Sequence, residues 1–424
     1  MKIAALVIFI LMYLLIIRFQ KYKEYIALGT AIIFIIVGIL PFNKLVDVLK
    51  DNLNIFMMLI GSMIIVYYFI KSKMPALIAD KLLDLSPNVM WVTIFMSAFA
   101  GIISAFIDNT ATVLMIAPIG VAVCKKLEIN PIPMILCLAI SSNLQGAATL
   151  VGDTTSIMLG GYAKMDFNSF FVLEGRPSIF FAVELGAIAS LFIMFFMFKN
   201  QVEKVEASKD VRVTDYFPTI VLVSLIIALI VASSFPNRAE IVNGIICMGF
   251  ALITIVGDAS KHKRDNKILE SIRNVDYQTL LLLFGLFLVI GGITNVGIID
   301  DFANFISSIG SSHPFILYTI IVWGSALISG FIDNIPYVAT MLPVIETICA
   351  TSSINPYLLY FGLLSGATLG GNLTPIGASA NIAGVSLLKK EGYDVDFKTF
   401  LKYGLPLTLS ALLTGYIFIW FVWK

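Results

Sequence analysis

The sequence predicts an all-α polytopic membrane protein made of two homologous, oppositely oriented halves. Each half has about five transmembrane helices, one of them broken, and one re-entrant helical hairpin. Three observations carry this expectation. Hydrophobic residues make up 59% of the 424 positions and charged ones 13%, a balance that cannot cover a water-facing surface. An unusual polar string set among apolar residues occurs twice. The basic residues sort to one side once the apolar segments are threaded alternately through a bilayer.

In chain order, residues 3–17 are nearly free of charge and run into Arg18, Lys21 and Lys23. No small-residue cleavage site follows, so this segment reads as a retained span rather than a removed signal peptide. Residues 25–40 and 55–70 are two further apolar spans near bilayer length. A hairpin is expected at about 88–125, a broken helix at about 132–162 and a closing span at Ile179–Phe198. Residues 1–198 then form the first repeat. The stretch 199–216, rich in Lys, Glu and Asp, reads as a cytoplasmic linker. The second repeat, 217–424, holds spans at Phe217–Ser233, 241–256 and 279–292, with a polar cytoplasmic loop at 257–274. A hairpin at about 314–350, a broken helix at about 357–388 and a final span complete it.

The duplication is read from matched strings. Ile103-Ser104-Ala105-Phe106-Ile107-Asp108-Asn109 returns as Ile328-Ser329-Gly330-Phe331-Ile332-Asp333-Asn334. Downstream, the string from Ala148 to Ile157 is aligned with that from Ala367 to Ile376, which sets Gly152-Asp153 against Gly371-Asn372. Asp166-Phe167 is echoed by Asp396-Phe397, and Gly61 by Gly285. With the N-terminus outside and three spans before each hairpin, the outer face carries Lys2, Lys44, Lys50, Lys164, Arg176, Arg238 and Lys424. The other 21 of the 28 Lys and Arg lie inside, as cytoplasmic loops prefer. Both termini are therefore expected outside a cell (inner) membrane crossed many times.

An ionised carboxylate at bilayer depth costs at least a few kcal/mol, so it needs a partner or a purpose. Asp108, Asp153 and Asp333 fit that description, with Asn109, Thr110, Thr112, Thr154, Thr155 and Asn334 beside them. Oxygen-only surroundings of this kind favour Na+ or a proton over soft metals. Gly146, Gly152, Gly160 and Gly161, then Gly366, Gly370, Gly371, Pro375 and Gly377, interrupt segments that are otherwise helical. Such breaks expose carbonyls and helix N-termini that can bind ions; close helix packing is the other reading of Gly160 and Gly161. The replacement of Asp153 by Asn372 in that alignment predicts unequal cation affinity at the two sites. Glu184, in a span, is a possible proton site, with a structural pairing as the alternative. No Lys or Arg falls in the predicted core.

The net charge of +1 points to no nucleic acid partner. Cys124, Cys137, Cys247 and Cys349 have no metal or disulfide spacing, and His262 and His313 fall in loops. No cofactor is expected beyond Na+ or H+ as coupling ion, and no metal beyond a possible Na+. Neither a phosphate-binding glycine loop nor an ATPase domain is visible.

The strings Phe106-Ile107-Asp108-Asn109-Thr110-Ala111-Thr112, Gly146 to Asp153, and Gly370-Gly371-Asn372-Leu373-Thr374-Pro375-Ile376-Gly377-Ala378-Ser379-Ala380-Asn381 resemble the arsenite permease, sodium-proton antiporter and P-protein (citrate transporter-like) branch of the ion transporter superfamily. The resemblance covers nearly the whole chain. It implies opposed hairpins in inverted repeats, a scaffold domain that forms a homodimer, and a transport domain that moves as an elevator. On these strings Thr374, Pro375 and Asn381, with Asn143, join the candidate binding residues. The tips are also similar to the Ser-Asn-Thr motif of sodium-coupled dicarboxylate symporters, with Asp108 in place of Ser and with Ile335 where Thr would stand. The expected function is secondary active transport of a small inorganic ion or small anion by alternating access, coupled to Na+ or H+. A Na+/H+ antiporter or an arsenite or small-anion permease is the in-family alternative. Outside that class stand a passive channel and an intramembrane aspartyl protease; the protease needs two acids facing each other. The chain is not expected to be an enzyme.

Overall fold

Helices make up 79% of the described residues, the outcome that backbone groups require where no water is present to satisfy them. The computed structural model describes residues 1–205, 212–235, 238–262, 267–310, 313–352 and 354–424. Part of the linker, with Lys209, and the loop residues Lys263 and Arg264 lie outside the described residues.

The first half holds α1 (Lys2–Arg18), α2 (Lys23–Ile36), α3 (Phe42–Asp51), α4 (Leu53–Lys71), α5 (Met74–Asp84), α6 (Val89–Ser104), α7 (Asn109–Lys126), α8 (Ile132–Gly146), α9 (Thr154–Tyr162) and α10 (Ile179–Phe198). The second holds α11 (Phe217–Ser233), α12 (Val242–His262), α13 (Lys267–Arg273), α14 (Tyr277–Asn295), α15 (Ile298–Gly310), α16 (Pro314–Ser329), α17 (Asn334–Thr351), α18 (Pro356–Gly370), α19 (Ser379–Lys390) and α20 (Phe397–Trp423).

Among the described residues, five helices are long and apolar enough to cross a membrane, namely α4, α10, α12, α14 and α20. The remaining apolar segments are divided into shorter pieces. Phe19 leaves helical geometry between α1 and α2, whose axes differ by 116°. The chain also unwinds after Gly146 and again around Gly371–Leu373, so α8 and α18 stop at 15 residues each.

Packing pairs α4 with α12, α2 with α14, α6 with α8, α16 with α18 and α10 with α20. Glycine sets two of these crossings: a Cβ on Gly61 would lie 2.5 Å from the Cys247 carbonyl carbon, and one on Gly285 2.7 Å from that of Ala27. Helices approach this closely only where one side chain is missing. Buried apolar side chains form a larger cluster centred on α2, α4, α14, α17 and α18, and a smaller one joining α6, α7, α8, α19 and α20. The short arms change partners: α19 packs on α7 and α8, and α9 on α17 and α18. That exchange brings both tips and both breaks to one place.

Candidate functional site

Asp108 and Asp333 are the N-caps of α7 and α17. Asp108 Oδ1 accepts the Thr110 and Ala111 amides, each at 3.0 Å, and Asp333 Oδ1 accepts the Ile335 amide at 3.3 Å. A carboxylate here satisfies amides that lack intrahelical partners and meets the positive end of the helix dipole. The Asp-Asn pairs therefore have a local reason to end the turn between two helices.

The breaks are held by one geometry used twice. Thr149 Oγ1 donates to the Ala105 carbonyl and Thr374 Oγ1 to the Gly330 carbonyl. A Cβ on Gly152 would lie 2.5–2.8 Å from the carbonyl oxygens of Gly146, Ala105 and Ser104; one on Gly377 would lie 2.7–2.8 Å from those of Gly371, Gly330 and Ser329. Ser156 bonds the Gly146 carbonyl and Asn381 the Gly371 carbonyl. Each matched pair is 225 positions apart, as are Asp108 and Asp333, and Pro118 and Pro343 inside α7 and α17. This corrects the alignment drawn from sequence. Asp153 is matched by Ala378 and not by Asn372, which stands at the place of Ala147. The shared Ala-Thr-Leu wording had pulled the two strings six positions out of register.

Asn372 instead belongs to a buried amide network. Asn109 Nδ2 donates to Asn143 Oδ1 at 2.9 Å, and Asn143 Nδ2 donates to the Thr368 carbonyl at 2.8 Å and to Asn372 Oδ1 at 3.1 Å. Asn372 Oδ1 also accepts from Asn381 Nδ2 at 3.1 Å, and Asn372 Nδ2 donates to the Ile140 carbonyl at 3.2 Å. All four asparagines are buried. Asp153 is buried too, at the N-terminus of α9; its Oδ2 accepts Thr155 Oγ1 at 3.0 Å, and that hydroxyl lies 3.4 Å from Thr368 Oγ1.

A cavity of about 180 Å3 is lined by Asp108, Asn109, Thr110, Asp153, Thr154 and Asn334 together with Lys23, Asp276, Gln278, Thr279 and Ser379. It opens at the exposed N-terminus of α14, where Asp276 caps the helix through the Thr279 amide at 3.1 Å. A neighbouring space of about 380 Å3 shares Asp108, Thr110, Gly152, Asp153, Thr154 and Asp276. Oxygen donors dominate, which suits a hard cation or a proton, and among the described residues no group of three or more His, Cys, Asp or Glu converges as a metal cluster.

Lys23 corrects the expectation that no basic residue reaches the core: its ammonium contacts Asp333 Oδ2 directly. Its position at the first turn of α2 hides this in the sequence, because only the fold brings the second tip to that turn. Asp276 and Ser379 were missed for the same reason, although Asp276 carries the signature of a helix cap. Some candidates lie apart. The Thr374 hydroxyl is spent on the Gly330 carbonyl, Pro375 is half-buried with no polar role, and Thr112 is buried on α7 without a hydrogen-bond partner. Glu184 is half-buried on α10 and does not line the central cavity.

The sequence model of a family described as Citrate transporter matches residues 12–364. An uncharacterized transporter of Mycobacterium tuberculosis strain H37Rv is 28% identical over 99% of this chain and 98% of its own. A 46 kDa membrane protein of Mycobacterium leprae is 30% identical over 75% of this chain and 74% of its own. The P protein of Mus musculus is 25% identical over 84% of this chain and 52% of its own. Among solved structures, the fold is similar to the Alcanivorax borkumensis YdaH transporter, with a TM-score of 0.60 at 13% identity over 89% of this chain and 87% of that one. Neisseria gonorrhoeae MtrF gives 0.54 at 17% identity over 89% and 83%.

Proposed function

Because the chain belongs to the citrate transporter family, we propose that it is a secondary active transporter that moves a small ion or anion by alternating access, coupled to Na+ or H+. Its family and neighbours are transporters, so it is a membrane transporter and not an enzyme. One observation carries the finer reading: the Asp108-capped tip, the Asp153-bearing break and Asn334 of the second tip line one small cavity, and Asp333 lines the adjoining space with Lys23 and Ser379. Asp108, Asp153 and Asp276 line that cavity with Lys23, whose ammonium pairs with Asp333, and the excess of carboxylates over ammonium attracts cations.

The recurrence of the tip-and-break geometry 225 positions on supports duplicated halves, and the alternating basic segregation supports their opposite orientation, with both termini outside. The cavity opens beside the basic loop before α14, so this state reads as open to the cytoplasm. In the elevator reading, α6–α9 and α16–α19 travel against the crossings of α2 with α14 and α4 with α12, which would serve as the dimerising scaffold. Asp108, Asn109, Thr110, Asp153, Thr154 and Thr155 form the first ion site; Asp333, Asn334 and Ser379 form the second; and the asparagine network holds both. The Na+/H+ antiporter and small-anion permease readings share this site and differ in the cargo.

Purified protein in liposomes decides between them. Radioactive Na+, arsenite or a small carboxylate should accumulate under one imposed Na+ or pH gradient and stop when an ionophore collapses it. Flux indifferent to every gradient would mean a pore and would sink the coupled mechanism.

A further inference from the structure

The two tips share a geometry but not an electrostatic state. Among the described residues, the Asp108 carboxylate is bonded only by the amides of its own helix, whereas Asp333 Oδ2 holds the Lys23 ammonium and takes the Ser379 hydroxyl at 3.4 Å. The pair is enclosed: the Lys23 side chain is 17% exposed and that of Asp333 8%. Next to it, Asn334 is 2% exposed, lines the cavity and leaves its Nδ2 without a partner. Asp276 and Glu24 also lie within electrostatic reach of Lys23, and Asp108 and Asp153 within reach of Asp333. Lys23 sits on α2, which packs on α14, while Asp333 caps α17, which packs on α18. The contact therefore ties α2, half of the α2–α14 crossing, to the tip of α17, which itself also packs against α14.

We propose that Lys23 is a tethered counter-ion for Asp333, occupying the second tip in place of a free cation and releasing that tip only when a Na+ ion or a proton takes its place. The inference rests on the reading of Asp333 as part of a cation site. A buried carboxylate stripped of its only cation is costly, so the tip cannot leave α2 with Asp333 ionised and bare. Exchange is the remaining route: either a cation enters as the ammonium withdraws, or the carboxylate is neutralised. Lys23 thereby ties departure of the tip to occupancy of the site and raises the cation or proton concentration needed to fill it. It acts as a positioning residue. The first tip, with no such ammonium, should fill at lower concentration.

Thermal midpoints of the purified full-length protein in nanodiscs test this, titrated with NaCl against choline chloride at fixed pH and then across pH at fixed Na+. Lys23→Gln should lower the Na+ or proton concentration giving half-maximal stabilisation at least about tenfold, the scale set by removing an adjacent unit charge. Lys23→Arg should remain near wild type. In the Asp333→Asn background the Lys23→Gln shift should vanish. Should Lys23→Gln fail to fold, the charge swap Lys23→Asp with Asp333→Lys should fold and lose the response of the second site. An unchanged half-point in Lys23→Gln, or a shift that survives Asp333→Asn, overturns the proposal. A wild-type protein without any response refutes cation coupling as read above; a response gained in Lys23→Gln would still uphold the tether, and none in either would refute both.

Discussion

Asp153 has no partner acid in the matched break, where Ala378 stands, so the proposed first site carries two carboxylates and the proposed second carries one, which pairs with Lys23. Removing the unmatched charge should therefore weaken the first site far more than any change at Ala378 weakens the second. Asp153→Asn should reduce gradient-driven flux more than about tenfold, since a one-unit change of charge in an enclosed site is worth at least 1.4 kcal/mol, while Ala378→Ser should stay within twofold of wild type. Comparable losses in the two variants would count against the asymmetry. Asn372→Ala is a different perturbation, because it strands amide groups of Asn143 and Asn381 in a buried setting. It should lower stability by about 1–3 kcal/mol, read as a fall in thermal midpoint with or without Na+. The acids Asp108, Asp153 and Asp333 were legible in the sequence because carboxylates are rare among apolar neighbours. Lys23 was not, because a basic residue at a helix start looks like an ordinary membrane-face anchor until the fold shows what lies above it.

At the level of elements, the breaks depend on glycines that face carbonyl oxygens. Gly152→Ala and Gly377→Ala each place a methyl 2.5–2.8 Å from three such oxygens, where the neighbouring atoms are backbone and cannot swing aside. Each should cost about 1–3 kcal/mol or more, seen as lost yield of folded protein, with Gly249→Ala, which meets nothing within 4 Å, as the tolerated control. Asp396 gives a pH-dependent case outside the spans. Hydrogen bonds from Thr399 to this cap of α20, including one from its amide at 2.8 Å, hold the carboxyl below its ordinary value. A lowered folded value means the cap stabilises above the usual carboxylate range and that its contribution is lost as pH falls through the folded value. The gap in thermal midpoint between wild type and Asp396→Ala should thus be present at neutral pH and close in acid; a gap that widened in acid would contradict it. Glycine-rich wording pointed to unwinding, yet it could not fix register. The residues that set register, Thr149 with Thr374 and Gly152 with Gly377, are identified by the carbonyls they meet and not by their neighbours in sequence.

For the whole molecule, sidedness is the measurable property. The native cysteines Cys124, Cys137 and Cys247 are buried and Cys349 is half-buried, so the background for a membrane-impermeant maleimide should be low. Gln278→Cys, at the exposed end of α14, should label in inverted vesicles and not in intact cells, and Glu240→Cys should do the reverse. Labelling of both from one face would end the inverted arrangement. An all-helical membrane fold was readable from composition, because so apolar a chain has few other ways to satisfy its backbone. The exchange of short arms between the halves was not readable, since it depends on which faces of α9 and α19 find room beside α17 and α7. That exchange, sealed where Asn143 bonds both the Thr368 carbonyl and Asn372, joins the arms that carry both tips and both breaks into one unit. In the proposed mechanism, passengers at either berth would board and alight on the same trip, and the joint would fix the number carried per cycle.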